Sequence, residues 1–333
     1  MTTATRRYDG VGMETGDDAA AFDDIASLRR AVDERIDQLL SGSTHDQLSK
    51  AMRASALSAG KRMRPLLLIL VARDLGCNSP ALVDVACAVE LVHAASLILD
   101  DLPCMDDASL RRGKPCVHIQ YGEDVAILAS VALLSRAFGV LSQAQDIAPA
   151  TRARLVATLA QTVGDQGLVR GQFEDLHGGA RSPEAIATTN ELKTGLLLGV
   201  AVDMACIVCH ANDEVAQQLR AFALAAGQAF QIKDDFLDGA GNDSAVTGKD
   251  TGKDVGKATL INTLGRDEAQ RRLAACLVEA DRCLGAAVGA HGRTRRFVSS
   301  LFAKDGKGKR FAPELAKARE LRPGAHLAEL RLS

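Results

Sequence analysis

The sequence predicts an all-α fold, built as a single-domain helical bundle. From about residue 22 onwards, apolar residues recur at three- and four-residue spacing, which is the period of an amphipathic helix. No stretch shows the convincing apolar–polar alternation of a strand. Long helices that follow one another through short connections pack as a bundle. The predicted helices are Ile25–Leu40, Leu82–Asp101, Asp124–Ala144, Thr151–Leu176, Pro183–His210, Asp213–Leu237 and Asp267–Val288.

Local signals mark the ends of several elements. Ser79-Pro80 and Ser182-Pro183 each place a proline at the start of a predicted helix, where its fixed φ is favourable. The stretch 239–257 is rich in Gly, Asp and Lys and predicts a loop. We expect residues 1–20 to be disordered and residues 305–333 to form a loosely attached tail, which leaves a domain of residues 21–304.

The composition narrows the classes of function. Of 333 residues, 47% are hydrophobic and 3% aromatic, so aliphatic side chains must fill the core. The net charge of −2 provides no overall attraction to nucleic acid or to an anionic membrane, and neither is an expected partner. Eight cysteines in a long chain without a secretory signal indicate reduced thiols and a cytoplasmic location. No uncharged run reaches the roughly 20 residues that a membrane span requires.

The most informative stretch is an acidic cluster that follows three apolar residues. Asp100, Asp101, Asp106 and Asp107 lie close together in the sequence. Like charges about 4 Å apart repel by roughly 1 kcal/mol in water and roughly 4 kcal/mol near a protein surface, so a hard divalent cation is the expected partner. On a straight helix Asp107 would share a face with Asp100, and Asp106 would not. Because Pro103 disfavours a straight helix, a local bulge could bring Asp106 round instead.

A second acidic cluster, Asp234-Asp235-Phe236-Leu237-Asp238, also follows an apolar helix. Asp234 and Asp238 are four residues apart and therefore share a face. Two acidic helix ends can hold several Mg²⁺ ions, since Mg²⁺ favours a few carboxylates together with waters and substrate phosphates. A solvated acidic helix end explains one such cluster well, but two clusters poorly.

Basic residues distinguish a diphosphate site from a calcium site. Gly60–Pro65 contains three cations, and Arg111-Arg112 follows the first acidic cluster. Arginine forks match phosphate oxygens, and lysine supplies a compact charge. Each pair alone could be an ordinary solvated surface, whereas the whole set could hold two diphosphates. Further candidates are Lys193, Lys249 and Lys257.

In this order, the motifs resemble those of the trans-prenyl diphosphate synthases, the farnesyl/geranylgeranyl diphosphate synthase family, over about residues 25–304. Asp100–Asp107, followed by Arg111–Pro115 and His118, resembles the first Asp-rich motif in its form with two extra residues between the aspartates. Asp234–Asp238 resembles the second motif. The resemblance is closest to bacterial-type geranylgeranyl diphosphate synthases. It implies an isoprenoid-synthase bundle with a large central cavity, and a homodimer.

The resemblance also implies roles for individual residues in metal binding and catalysis. Mg²⁺, roughly three ions per site with substrate bound, would be held between the two acidic clusters. The implied metal ligands are Asp100, Asp101, Asp106, Asp234 and Asp238. The implied catalytic residues are Asp100, Asp101, Asp106, Asp234 and Lys193.

Two diphosphate subsites follow from the same resemblance. His93 has independent support, because it lies seven residues before Asp100 and so shares its helix face. Gln172 and Asp175 would lie near the reacting carbons. The subsite for isopentenyl diphosphate would comprise Lys61, Arg64, His93 and Arg112, and the allylic subsite Arg111, Lys193, Thr194, Gln231, Lys249 and Lys257.

The implied reaction is the head-to-tail addition of isopentenyl diphosphate to an allylic diphosphate. Mg²⁺ assists ionisation of the allylic C–O bond, and the isopentenyl double bond attacks the resulting cation. In the family, the residues four and five positions before the first motif help to form the floor of the tail pocket. Here they are Ser96 and Ala95, which are small and favour a C20 product, geranylgeranyl diphosphate.

Several alternatives remain open at this point. A farnesyl diphosphate (C15) synthase would share the motifs. A class I terpene cyclase would not need the isopentenyl subsite, and a non-catalytic partner subunit would tend to lose one acidic cluster. A di-iron carboxylate bundle would use the Glu-x-x-His spacings Glu90–His93 and Glu174–His177, but it leaves both acidic clusters unexplained.

Overall fold

The computed structural model describes residues 16–41, 46–177, 195–238, 261, 265–289 and 292–302. Within them nearly all regular structure is helical, which confirms the predicted all-α class. The described elements are α1 Gly16–Leu40, α2 Gln47–Ala56, α3 Met63–Asp74, α4 Ala81–Asp100, β1 Leu110–Arg111, β2 Lys114–Pro115, α5 Val117–Tyr121, α6 Glu123–Gln143, α7 Pro149–Val163, α8 Leu168–His177, α9 Leu196–Val208, α10 Asp213–Asp238, α11 Arg266–Val288 and α12 Arg293–Phe302.

Helix α4 runs through the centre of the bundle. It packs against α3, α6 and α9, and most of its residues from Ala81 to Ile98 are buried. Every residue of α3 from Pro65 to Ala72 is buried as well. These helices have apolar residues on all sides, so they are stabilised by burial against neighbouring helices all round and not along one apolar stripe. Helix α4 is thereby buried along most of its length up to Ile98, just before the acidic cluster.

Within the described ranges, two helices, α4 and α6, are long and apolar enough to cross a membrane, by length and composition alone. Of the apolar window in α4, 67% is buried inside the bundle, as expected for a core helix. In α6 only 39% is buried, so much of its apolar surface faces outwards.

The two short strands form a hairpin just after the first acidic cluster. Leu110 pairs with Pro115 and Arg111 with Lys114, in antiparallel register. The two residues of the turn, Arg112 and Gly113, have positive φ values of 54° and 75°, as in the tight turns that suit the twist of a hairpin. The hairpin therefore fixes the directions of two consecutive arginines.

One predicted helix proves to be two. The segment Thr151–Leu176 is interrupted between α7 and α8, at residues 164–167. The backbone of Gly164 is extended, and a Cβ added to Gly167 would lie 2.0 Å from the Thr162 carbonyl oxygen. Only glycine fits this close approach, so the chain turns there. Of the predicted helix Pro183–His210, the part before residue 195 lies outside the described residues, and the domain boundaries stay predictions.

Candidate active site

The first acidic cluster lies where α4 ends. After Asp100 the chain folds back, so that the Asp106 amide donates to the Asp100 carbonyl at 2.9 Å and the Ala108 amide to the Asp101 carbonyl at 3.2 Å. Asp107 has a positive φ of 48°, which a continuing helix does not allow. Of the two arrangements that the sequence left open, the structure adopts the one that returns Asp106 to Asp100.

An ion pair fixes Arg111 to this cluster. The Arg111 Nε atom lies 2.7 and 2.9 Å from the two carboxylate oxygens of Asp101, and Nη2 lies 2.6 Å from Asp101 Oδ1. Burial alone would lower the pKa of Arg111, but the hydrogen bonds and charge of Asp101, helped by Asp100, raise it above its ordinary value. Arg111 therefore remains a cation beside the predicted metal ligands.

The residues predicted to hold isopentenyl diphosphate lie around one loop, residues 57–62, which joins α2 to α3. Arg64 Nη1 is 3.2 Å from His93 Nε2. Arg112 donates to Ser58 Oγ at 2.8 Å. Lys61 is exposed in the same loop. The structure thus places Arg64 against His93, and Lys61 and Arg112 on one short segment.

Burial and nearby positive charges lower the pKa of three members of this group of side chains, called here the cationic cluster (Lys61, Arg64, His93 and Arg112). Burial lowers the pKa of Arg64, and the charge of Arg112 lowers it further. The pKa of His93 lies well below its ordinary value because of burial and the nearby guanidinium groups, first that of Arg64. Arg64 Nε is buried and meets no hydrogen-bond acceptor within the described ranges. A bound anion would supply that acceptor and offset the repulsion.

The second acidic cluster lies at the C-terminal end of α10. Asp234 is exposed, whereas Asp235 is buried and accepts a hydrogen bond from Gln231 Nε2 at 3.0 Å. The charge of Asp234 raises the pKa of Arg64, against the larger lowering caused by burial. The charge of Asp101, at the end of α4, likewise raises the pKa of Arg112 against burial, so both acidic helix ends lie within electrostatic reach of the cationic cluster.

Helix α8 lies beside the first acidic cluster. Gln172 Nε2 lies 3.9 Å from Met105 Sδ, in the turn of the first acidic cluster. The Oε1 atom of Gln172 is buried and has no hydrogen-bond partner in the described part of the chain. Asp175, one turn further along α8, is half-buried. Both residues predicted to lie near the reacting carbons thus belong to the helix that faces the first cluster.

The two residues of the predicted pocket floor lie on different faces of α4. Ser96 is half-buried and stands at helical spacing from both His93 and Asp100, so it shares their face. Ala95 is fully buried, and its carbonyl oxygen accepts a hydrogen bond from Ser130 of α6 at 3.1 Å. Ala95 follows His93 by a rotation of about 200°, so its side chain points away from that face.

The donor atoms of the site suit a hard cation. Carboxylate oxygens dominate both acidic clusters, and oxygen ligands are what Mg²⁺ prefers. Among the described residues, no group of three or more His, Cys, Asp or Glu side chains could hold a metal ion by itself. Mg²⁺ commonly takes one or two carboxylates and completes its shell with waters and substrate phosphates, so the clusters fit an ion bound together with a diphosphate.

Part of the predicted site cannot be placed. The side chain of Asp238 lies outside the described residues, although α10 includes its backbone. The same holds for the whole of Lys193, Thr194, Lys249 and Lys257.

Sequence reasoning missed the role of Arg62, which it grouped with the neighbouring surface cations. The Arg62 side chain is 3% exposed and contacts the carboxylates of Asp33 and Glu90. A signal was present in Glu90, an acidic residue in the middle of a mostly apolar helix, which requires a buried partner. Because Glu90 pairs with Arg62, it is not available as a metal ligand, and the di-iron alternative loses one of its ligands.

Comparisons of sequence agree with the site. The polyprenyl synthetase family profile matches residues 45–286. The chain is 49% identical to the geranylgeranyl diphosphate synthase of Pantoea ananas over 287 residues, which is 85% of this chain and 94% of that protein. It is 38% identical to the farnesyl diphosphate synthase of Bacillus subtilis, over 72% of this chain and 83% of that protein.

Comparisons of structure point the same way. An FPP/GFPP synthase from Zymomonas mobilis is 30% identical with a TM-score of 0.74, covering 85% of this chain and 97% of that one. A geranyltransferase from Helicobacter pylori, complexed with magnesium and isoprenyl diphosphate, is 29% identical with a TM-score of 0.72, over 83% and 95% of the two chains. The fold, the motifs in their order and these matches lead to one conclusion: the chain belongs to the polyprenyl synthetase family.

Proposed function

We propose that this protein is a trans-prenyltransferase that condenses isopentenyl diphosphate with allylic diphosphates to give geranylgeranyl diphosphate. The carrying observation is the placement of the cationic cluster beside two acidic helix ends. One diphosphate needs cations from the protein, and the other needs metal ions held by carboxylates. Such a site suits two diphosphate substrates of different roles.

The chain's own residues position and shield the reactants. Arg64 and Arg112 bind isopentenyl diphosphate, with Lys61 at the rim, and neutral His93 donates or accepts a hydrogen bond there. Arg111 lies beside the allylic diphosphate. The C–O bond of the allylic substrate ionises, the isopentenyl C=C bond forms the new C–C bond, and the departing diphosphate accepts the proton that is lost. Aliphatic helix faces exclude water from the cation.

Mg²⁺, in roughly three ions per site, is the proposed cofactor. Asp100, Asp101 and Asp106 would hold it from α4, and Asp234 with Asp238 from α10. Bound Mg²⁺ supplies Lewis-acid stabilisation of the charge on the leaving diphosphate. The carboxylate donors of both clusters support this assignment.

A C20 product is favoured over C15 by two observations. Ser96 and Ala95 are small, so no aromatic ring shortens the tail pocket at these positions. The relatives from Pantoea ananas and Pseudescherichia vulneris, at 49% and 46% identity, are named geranylgeranyl diphosphate synthases. The farnesyl diphosphate synthases of Bacillus subtilis and Geobacillus stearothermophilus stand at 38% and 40% over shorter matches.

We also propose that the protein is a cytoplasmic homodimer. Ile127, Leu128 and Val131 on α6 are 45%, 57% and 58% exposed. Monomeric proteins rarely leave contiguous apolar surface of this kind uncovered. A second copy of the chain would cover it.

The decisive experiment incubates the protein with isopentenyl diphosphate, Mg²⁺ and a C5, C10 or C15 allylic primer, followed by chromatography of the dephosphorylated products. A C20 alcohol from every primer is expected. Accumulation of the C15 alcohol would favour the farnesyl alternative, and the absence of any condensation product would refute the proposed activity.

A further inference from the structure

A buried ion-pair network anchors the loop of residues 57–62, beside the cationic cluster. Arg62 Nε donates to Asp33 Oδ1 at 2.6 Å, and Arg62 Nη1 donates to Glu90 Oε1 at 2.8 Å. The side chains of Arg62 and Glu90 are only 3% and 5% exposed. The network therefore connects the loop before α3 to α1, through Asp33, and to the central helix α4, through Glu90.

The backbone of Arg62 adopts a conformation that needs such support. Its φ is 47° and its ψ is 39°, in the left-handed region, at the residue that precedes α3. This conformation is unfavourable for a residue with a Cβ atom. Strained residues persist where their surroundings hold them firmly. Here the two carboxylates hold the guanidinium and so fix the loop.

The anchored loop contains Lys61, leads directly into Arg64 and contacts Arg112. Lys61 precedes Arg62 and Arg64 follows two residues later. His93, which meets Arg64, lies one helical turn after Glu90 on α4. Arg112 rests on the loop, since it donates to Ser58 and a Cβ on Gly60 would lie 2.8 Å from its Nη1. The Arg62–Glu90 contact therefore sets the register of the loop against α4.

Glu90 also acts on the cluster through its charge. The Glu90 carboxylate raises the pKa of both Arg64 and Arg112, against the larger lowering that burial causes. It raises the pKa of Arg62 as well, and together with Asp33 it holds that pKa above the ordinary value despite burial. Removing the negative charge of Glu90 would leave several guanidinium groups repelling one another around the site.

We propose that Glu90 and Arg62 are positioning residues for isopentenyl diphosphate, holding Lys61, Arg64, His93 and Arg112 in the geometry that binds its diphosphate group. This inference rests on the proposed function. It concerns isopentenyl diphosphate alone, because the loop lies beside the cationic cluster. The allylic diphosphate depends instead on the acidic clusters.

The test compares Glu90→Gln with a matched control, Asp84→Asn. Asp84 also lies on α4 and pairs with a residue of α1, Arg35, at 2.6 Å, but it is far along the helix from the loop. In Glu90→Gln we expect the KM for isopentenyl diphosphate to rise by about tenfold or more, because a displaced loop misplaces its cations. The KM for the allylic primer and kcat should stay within about threefold in both variants.

A double variant separates positioning from folding. A lone buried charge destabilises a protein, whereas replacing both partners with apolar residues often does not. Arg62→Met with Glu90→Leu should therefore unfold near the wild-type temperature and still show the raised KM for isopentenyl diphosphate. A double variant with a wild-type KM, or a Glu90→Gln variant in which both KM values rise equally, would overturn the inference.

Direct binding keeps this inference distinct from the proposed activity. Titration calorimetry with isopentenyl diphosphate alone, without a primer, should give weaker binding to Glu90→Gln than to wild type. If wild type neither binds isopentenyl diphosphate nor forms product, the proposed function fails. If wild type does both and Glu90→Gln binds equally well, only the positioning role fails.

Discussion

His93 shows how burial among like charges determines the state of one side chain. The imidazole contacts Arg64, and the charges of Arg112, Arg111 and Arg62 also reach it. Burial and these charges hold the His93 pKa well below its ordinary value, so the ring is neutral in the folded protein. In the unfolded chain the same ring titrates at about 6.5.

This difference predicts the pH dependence of stability. Below about pH 6.5 the unfolded chain binds a proton that folded His93 does not, so the free energy of unfolding falls as pH decreases. Urea unfolding between pH 5 and 8 should show a shallower pH dependence in His93→Asn than in wild type. NMR titration of the His93 ring with a midpoint near 6.5 in the folded protein would contradict this expectation.

The aspartates of the two clusters should be needed for turnover. Asp100→Ala and Asp234→Ala are expected to lower kcat by at least about a hundredfold, because each removes a carboxylate proposed to bind Mg²⁺. Asp213→Ala is the matched control, since Asp213 is exposed at the opposite end of the same helix as Asp234. Near-normal kcat in both site variants would refute the metal assignment.

The charged side chains of the candidate site could be predicted from the sequence, whereas the buried contacts that position them could not. Clusters of like charge at Asp100 and Asp234 are visible in the sequence because they violate local electrostatics and so require a ligand. The contact of Arg62 with Glu90 joins residues that are distant in the chain, and its left-handed backbone has no sequence signal. Arg62 therefore resembled its neighbours until the tertiary structure distinguished it.

At the scale of elements, the faces of α4 separate two residues that the sequence treated together. Ser96 shares the face of His93, whereas Ala95 is packed against α6. Ser96→Phe should shift the product from C20 towards C15, whereas Ala95→Phe should not, because the Ala95 side chain points away from the face of His93 and Asp100. Only Ala95→Phe should lower the melting temperature clearly, because overpacking a buried site costs about 1–3 kcal/mol. Product chromatography and thermal unfolding check this, and an unchanged product in Ser96→Phe would contradict its role in chain length.

The start of α12 depends on a residue far away in the sequence. Asp74, the last residue of α3, accepts hydrogen bonds from the amides of Arg293 and Thr294, both at 2.9 Å. Asp74→Ala should lower the free energy of unfolding by about 1–2 kcal/mol, since it removes a helix cap and a favourable charge.

Urea unfolding measures this loss. Asp74→Asn, which keeps an acceptor oxygen, should lose less than the alanine variant. Equal losses in the two variants would show that the cap itself contributes little. No periodicity argument could have found this contact, because it joins two helices that are separated by most of the chain.

At the scale of the whole molecule, the apolar face of α6 predicts the assembly. If the protein is the proposed homodimer, Leu128→Glu should convert it into a monomer, because a charge at the interface must be desolvated. Sedimentation velocity should give twice the 35.1 kDa chain mass for wild type and the single mass for the variant. Val278→Glu, at an exposed apolar residue of α11, is the control and should remain dimeric. A monomeric wild type would contradict the proposal.

The orientation of α4 and α10 has a consequence for which ligands can approach. Both helices terminate at an acidic cluster, and a helix terminus of this polarity carries roughly half a negative elementary charge from its unpaired carbonyl groups. The backbone thus adds to the negative potential of the carboxylates, which repels a polyanion that carries no bound cations. We therefore expect substrate phosphates to bind there together with cations, and to bind beside Lys61 without them.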